Sequence, residues 1–187
     1  MNLRLLLILP VVLGFAFGEN LLTNGDFEQE LTVGWTQTYG GYGYHNVERS
    51  TWRHPDPDYE VWAQQYDGLG WNRLEQVVEV KDVDIDFSFI AKFDIGNGSS
   101  TCWPVAAVIL AYYNSGGALL GDTRFCHASP YCNWTPSSTC NLIPVVGNQW
   151  MPWSLNVREE ITYNLPGVDA EQVAKIGVAL YDYTSGG

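Results

Sequence analysis

The chain has 187 residues, in which 9 Lys and Arg stand against 21 Asp and Glu, so the net charge at pH 7 is −12. This length fits one domain, and the acidity excludes nucleic acids and anionic membranes as main partners, because affinity for phosphate depends on neutralisation by Lys and Arg. The 19 Gly, 9 Pro, 8 Trp and 11 Tyr favour short strands joined by turns over helices.

The N-terminal segment predicts export. Arg4 precedes an unbroken apolar run over residues 5–17, and small residues then lead to a polar chain, the pattern of a secretory signal peptide. The run is too short for a membrane-spanning helix, which needs about 20 apolar residues. We place cleavage after Gly18, so that residues 1–18 are a signal peptide and residues 19–187 form the mature domain. A secreted or extracytoplasmic protein follows, with no membrane insertion after cleavage.

Strand-like segments follow one another along the mature chain. They are Val61–Tyr66, Leu74–Val80, Asp84–Phe93, Val105–Tyr113, a return through Ala118–Leu120, Met151–Asn156 and Ile176–Tyr183. Residues 84–93 alternate apolar and polar side chains with period two, whereas residues 105–113 are continuously apolar, which predicts a strand covered on both faces. Two short helical segments are predicted, at Val157–Tyr163 and after Asp169. The pattern predicts an all-β sandwich.

Four cysteines lie in or near a long loop expected over residues 121–148. They are Cys102, Cys126, Cys132 and Cys140. An even number of cysteines in an exported chain predicts two disulfides, and three pairings are open. Zinc binding is the alternative, because His127 adjoins Cys126, but the cysteine spacings match no common zinc motif.

The opening of the mature chain carries a resemblance to a known family. Residues 20–28 read NLLTNGDFE, and Gly34-Trp35 follows at short range. This opening resembles that of the cellulose- and xylan-binding carbohydrate-binding modules, which are galactose-binding-like jelly rolls often attached to glycoside hydrolases. Residues 74–93 and 153–181 also follow the order of that family. The resemblance implies a jelly roll whose first strand is anchored in the core by Leu21 and Phe27.

The resemblance also implies a sugar site made of aromatic rings with polar partners. A pyranose ring packs its C–H face on an indole or phenol ring, while its hydroxyls need amides, carboxylates and guanidinium groups. The predicted carbohydrate-binding residues are Trp52, Tyr59, Trp62, Gln64, Tyr66, Trp71 and Arg73. Within this group Trp62, Gln64 and Tyr66 share one face of a strand and form the predicted platform floor. A second candidate surface contains Trp103, Tyr131 and Trp134.

The function that we predict is that of an exported, non-catalytic carbohydrate-binding module, which could serve a glycoside hydrolase as an accessory module. A poly- or oligosaccharide is the expected partner. A glycoside hydrolase is an alternative, but Glu159 and Glu160 are adjacent on a predicted helix and point about 100° apart, whereas hydrolysis needs two carboxyl groups that face each other. A structural or adhesive surface module without sugar binding is the other alternative.

The resemblance finally implies a structural calcium ion. In such modules a last acidic strand helps to hold Ca²⁺ against the N-terminal segment. Here Asp26 and Glu28 are the expected ligands, and the chain stops at residues 184–187, at the start of the turn that would precede that strand. We therefore expect a weak or incomplete calcium site and a jelly roll without its last strand, because Ca²⁺ prefers six to eight oxygen ligands.

Overall fold

The computed structural model describes residues 20–52, 58–96 and 98–186. The predicted signal peptide lies outside these residues. Ten strands, one α-helix and one 3-10 helix occur in the described part of the chain. They are β1 Thr36–Gly41, β2 Tyr44–Ser50, β3 Glu60–Tyr66, β4 Leu69–Glu79, β5 Asp86–Ala91, β6 Pro104–Tyr113, β7 Leu119–Ala128, β8 Cys140–Pro144, β9 Met151–Asn156, α1 Val157–Asn164, the 3-10 helix Ala170–Gln172, and β10 Lys175–Ser185.

The strands form two layers. One layer is a six-stranded sheet in the order β1-β4-β10-β6-β7-β8, in which only the β7–β8 pair is parallel. The other layer consists of two separate antiparallel pairs, β2–β3 and β5–β9. Side chains of both pairs, including Val47, Val61, Phe87 and Leu155, pack against the buried residues of the large sheet. The predicted all-β sandwich is therefore confirmed.

The core lies between these layers and explains the apolar patterns of the sequence. Leu74 and Tyr112 of the large sheet are at most 1% exposed and belong to the main apolar cluster. A second cluster surrounds Phe125, whose ring contacts those of Phe87, Phe89 and Trp153 at centroid distances of 6.5, 5.0 and 5.8 Å. Strand β6 contributes side chains to clusters on both of its faces, as its continuous apolar run predicts.

Helix α1 covers one end of this core. Asn156 is its N-cap, and its side chain accepts a hydrogen bond from the backbone N–H of Glu159, which satisfies a donor that the first turn leaves free. Val157 and Ile161 are at most 1% exposed in the main cluster. The predicted helix at residues 157–163 is confirmed, and so is the turn after Asp169, which caps the 3-10 helix.

One buried amide connects the two layers. Asn72 in β4 is fully buried, and its side-chain NH₂ group donates to the backbone oxygens of Asn46 in β2, at 2.8 Å, and Gln64 in β3, at 3.3 Å. Its side-chain oxygen accepts a hydrogen bond from Gln37 of β1. Because a buried amide is costly unless its hydrogen bonds are made, this arrangement fixes β2–β3 over β4.

The N-terminal part of the domain differs from the expectation. No strand forms at Leu21–Phe27, because Asn24 and Phe27 have φ values of 52° and 58°, which are incompatible with extended backbone. Residues 21–34 instead form turns, and Phe27 still packs against the core beside Trp35. Strands β1, β2 and β8 were not predicted, and the expected long loop at residues 121–148 contains most of β7 and all of β8.

Candidate functional site

The face of the six-stranded sheet that points away from the second layer carries a row of aromatic and charged side chains. In the register of β10 and β4, Tyr183 lies opposite Trp71 and Tyr181 lies opposite Arg73. Directly opposed residues in an antiparallel pair point to the same side of a sheet and are neighbours. Leu180, the residue before Tyr181, packs instead in the main core, so these four side chains are on the opposite side from it.

Two further indole rings extend this row. Trp103 lies 4.8 Å from the ring of Tyr183, and Trp134 lies 5.9 Å from the ring of Tyr181, measured between centroids. We call the resulting surface the outer face. It consists of Trp71, Arg73, Trp103, Trp134, Tyr181 and Tyr183, all of which are partly exposed.

Small residues in the strands beside Trp71 and Tyr181 leave room for the rings of the outer face. Gly40 of β1 lies opposite Trp71, and a Cβ atom at Gly40 would come within 2.8 Å of the indole nitrogen. The indole therefore lies directly over the backbone of β1. Ala107 of β6 lies opposite Tyr181 on its other side, so the rings rest on a floor of small side chains.

Two arginine–carboxylate pairs accompany the rings. Arg73 bonds Glu75, which also accepts a hydrogen bond from the hydroxyl of Tyr113 at 3.4 Å. Arg124 donates two hydrogen bonds to Asp122, and its guanidinium group lies 4.4 Å from the ring centroid of Trp134. Ion pairing and hydrogen bonds of this kind hold long side chains in one orientation.

The environment of the arginines keeps them charged. Burial alone would lower the pKa of Arg73, but the hydrogen bond and charge of Glu75 outweigh it and raise that pKa. The same balance between burial and Asp122 raises the pKa of Arg124. Burial raises the pKa of Tyr181 to about 12, so its hydroxyl stays protonated and can both donate and accept a hydrogen bond.

The predicted sugar-binding residues divide between this face and other places. Trp71 and Arg73 are on the outer face, together with Trp103 and Trp134 of the second predicted surface. Tyr59, Trp62 and Gln64 instead line a cavity between the layers. Trp52 is 70% exposed at the end of β2, and Tyr66 stacks on Tyr44 at 4.7 Å. Tyr131 is exposed in the loop before Trp134.

The cavity, which we call the interlayer cleft, lies where the two pairs of the second layer separate. Its volume is about 510 Å³, and β3, β5, β6 and β10 supply most of its lining. It exposes the inner side of β10, the strand whose outer side carries Tyr181 and Tyr183.

Two residues of the outer face, Tyr181 and Tyr183, are not among the predicted sugar-binding residues. The signal was present, because Tyr181 and Tyr183 occupy alternate positions of the strand, on the face opposite that of Val178 and Leu180. A strand with one apolar face and one tyrosine face indicates a functional surface on the second face. That alternation was read only as a core strand.

The predicted calcium ligands are exposed at the N-terminal turns. The side chain of Asp26 accepts a hydrogen bond from the backbone N–H of Glu28, and the Glu28 carboxylate accepts one from Tyr59. Within residues 20–52, 58–96 and 98–186, no cluster of three or more His, Cys, Asp and Glu side chains is arranged to hold a metal ion. Calcium binding at Asp26 and Glu28 stays a prediction.

The two predicted disulfides are not formed in this structure, in which all four cysteines are free thiols. Each sulfur has other surroundings. Cys126 and Cys132 belong to the apolar cluster beneath the outer face. The Cys140 thiol donates a hydrogen bond to the carboxylate of Asp122. The sulfur of Cys102 lies 3.8 Å from the hydroxyl of Thr184. Burial raises the pKa of Cys126 and of Cys140 to about 11.

In the part of the chain that the structure describes, no helix is long and apolar enough to cross a membrane. Comparison with known proteins yields similarity only in structure, since no protein-family model and no curated protein matches the chain.

Several solved structures are similar to this chain at low sequence identity. A family 11 carbohydrate-binding module from Clostridium thermocellum, solved with a mixed-linked β-1,3-1,4 tetrasaccharide, is 14% identical at a TM-score of 0.43, with 86% of this chain and 89% of that chain covered. A carbohydrate-binding module of the β-sandwich superfamily is 12% identical at a TM-score of 0.47, with coverages of 91% and 61%. The neighbours thus include the class of module that the sequence resembles.

An enzymatic domain is also among these neighbours. The enzymatically active domain of tailspike protein 4 from bacteriophage CBA120 is 11% identical at a TM-score of 0.44. The match covers 89% of this chain but only 21% of the tailspike chain.

Proposed function

We propose that this protein is an exported, non-catalytic carbohydrate-binding domain and that it binds a poly- or oligosaccharide on the outer face. The observation that carries the proposal is the juxtaposition of Trp71, Arg73, Tyr181 and Tyr183 on neighbouring strands. Export rests on the sequence of residues 1–18, and the choice of site rests on the geometry.

The row of rings suits the apolar faces of pyranose units. Indole and phenol rings bury a large apolar area with few rotatable bonds, and Tyr and Trp keep a polar group for hydrogen bonding at the edge. The rings on the outer face are partly exposed and are spread over β4, β10 and the segments around Trp103 and Trp134. A chain of several sugar units can therefore contact more than one ring.

The charged pairs suit sugar hydroxyls. Arg73 supplies donors, Glu75 supplies acceptors, and the hydroxyls of Tyr113 and Tyr181 can act as either. Because these groups already bind one another, little side-chain freedom is lost when a ligand replaces water at their remaining positions. Arg73 and Glu75 form a fixed polar edge beside the aromatic row.

The same pairing favours binding without catalysis. A glycoside hydrolase needs one carboxyl group that is protonated at working pH and a second one across the scissile bond. On the outer face, Glu75 and Asp122 are each already engaged in an ion pair with an arginine of their own strand.

The test is a glycan array on the chain, followed by calorimetry with the best ligand. Trp71→Ala and Tyr183→Ala should each weaken binding by about 1–3 kcal/mol, the range found for buried aromatic anchors. Tyr163→Ala is the matched control, because Tyr163 is 78% exposed on α1. Trp52→Ala and Trp62→Ala should leave affinity unchanged.

Either of two results would overturn the proposal. One is the absence of any glycan ligand on a broad array. The other is a ligand whose affinity falls with Trp62→Ala but not with Trp71→Ala, which would move the sugar site to the interlayer cleft.

A further inference from the structure

The interlayer cleft contains a buried carboxylate that no side chain of the described residues pairs with. Asp182 lies on the inner side of β10, is 9% exposed, and lines the cleft. Neither of its carboxylate oxygens has a hydrogen bond of good geometry among the described residues. The backbone N–H groups of Asn72 and of Asp182 itself interact with it, but their effect on its pKa is smaller than that of burial. A buried polar group without a partner is costly and rare in folded proteins, so such a group in a cavity points to a ligand.

The surroundings of Asp182 are mostly apolar. Its strand neighbour Leu180, together with Val108 of β6, forms the floor, and the ring of Phe89 forms part of the β5 wall. Trp62 and Tyr59 line the cleft on the side of β3. An occupant must therefore have an apolar body that fits between aromatic and aliphatic side chains.

The charges around the cleft have one predominant sign. Among the described residues, its charged lining groups are Asp26, Asp58, Glu60, Lys92, Asp94 and Asp182. Carboxyl groups thus outnumber the one ammonium group among the described lining residues, which favours a cation over an anion in the cleft. The faces of Trp and Tyr rings also attract cations.

We propose that the interlayer cleft binds a small organic amine, with its ammonium group on the Asp182 carboxylate and its apolar body against the side chains of β5 and β6. The site is separate from the outer face and does not depend on sugar binding there. An ammonium ion supplies both the charge and the N–H donors that the carboxylate lacks.

A neutral ligand is a poorer fit for the same position. A hydroxyl group can donate one hydrogen bond, but it leaves the charge of the carboxylate uncompensated in an apolar cavity. The discriminating comparison is therefore between an amine and an alcohol of the same shape.

The experiment measures binding of tryptamine and of tryptophol, its hydroxyl counterpart, to the chain by calorimetry and ligand-detected NMR. Tryptamine should bind at least tenfold more tightly than tryptophol. Asp182→Asn should abolish that difference by weakening tryptamine, since the shape of the side chain is kept and the charge is lost. Trp71→Ala, on the outer face, should change neither affinity.

A second measurement tests the proposal even if the Asp182→Asn variant does not fold. In the unaltered protein, saturating tryptamine should lower the pKa of Asp182, followed through its carboxyl carbon by NMR, because a bound cation favours the charged form. The proposal is overturned if that pKa does not move, if the two ligands bind equally, if neither binds at millimolar concentration, or if Asp182→Asn binds tryptamine as well as the unaltered protein does.

Discussion

The two sides of strand β10 are one residue apart and have opposite chemistry. On the outer side, Tyr181 and Tyr183 lie beside Trp71 and Arg73, among charged groups that bind one another. On the inner side, Leu180 and Asp182 face a mostly apolar cavity, and no side chain of the described residues pairs with the acid. Because successive side chains point to opposite faces of a strand, one short segment contributes to two surfaces. A polar group is stabilised on the outer side, where partners are close, and is costly to bury on the inner side.

The largest expected loss of stability comes from removing an aromatic ring from the inner side of the six-stranded sheet. Phe125 is 2% exposed and contacts three other aromatic rings, so Phe125→Ala should lower the free energy of unfolding by about 3–5 kcal/mol. Urea denaturation measures this change. Tyr183→Ala, on the partly exposed outer side, should cost clearly less; equal losses would show that the outer rings are core residues and not a surface.

The second effect concerns Asp182 and has a definite sign. Burial raises its pKa from the ordinary 3.8 to about 7, so its contribution to stability is full below pH 3.8 and is lost as the pH rises towards 7. Asp182→Asn replaces the titratable carboxyl group by a neutral amide, so the variant does not lose this stability as the pH rises. Because one pH unit between folded and unfolded pKa values corresponds to about 1.4 kcal/mol, the variant should gain up to about 4 kcal/mol above neutrality.

The check is the free energy of unfolding of both proteins as a function of pH. The difference between them should be near zero in acid and should grow as the pH rises through the interval between the two pKa values. A difference that is constant with pH would mean that Asp182 is solvated, and the contrast between the two sides of β10 would then disappear.

A third effect tests how well the thiols of Cys126 in β7 and Cys140 in β8 are shielded from solvent. With pKa values raised by burial to about 11, Cys126 and Cys140 should react with iodoacetamide about a hundredfold more slowly than an ordinary thiol in the native protein. Mass spectrometry of the labelled chain measures the rates. In denaturant without reductant all four cysteines should be labelled; fewer labels would show that disulfides form after all.

The smallest effect should come from a single methyl group under Trp71. Gly40→Ala places a Cβ 2.8 Å from the indole nitrogen, which must displace the ring and should weaken binding of the ligand found on the array by about three- to tenfold. The matched control is Gly116→Ala in an exposed turn, where the nearest atom is 3.4 Å away. Unchanged affinity in Gly40→Ala would separate Trp71 from the sugar site.

The sequence predicted the fold better than it predicted the site. Period-two alternation at residues 84–93 and the apolar run at 105–113 located β5 and β6, because burial of side chains is a local signal in strands. The turns around Asn24 and Phe27 were missed, since positive φ values at these residues depend on contacts with Trp35 and the rest of the core.

The site that we propose on the outer face combines residues that the sequence suggested with residues that it did not. Trp71 and Arg73 were found by residue type, but their partners Tyr181 and Tyr183 are more than 100 residues away in the chain and become neighbours only through the β4–β10 register. Trp62 has the composition of a sugar ligand and yet lines the interlayer cleft. Residue type alone does not tell which side of which layer a ring will occupy.

The buried amide of Asn72 gives the two sides a shared pivot. It holds the β2–β3 pair by two hydrogen bonds, and its neighbours in the chain, Trp71 and Arg73, belong to the outer face. Asn72 thus joins the strand pair that borders the cleft to the strand that carries the indole of the outer face.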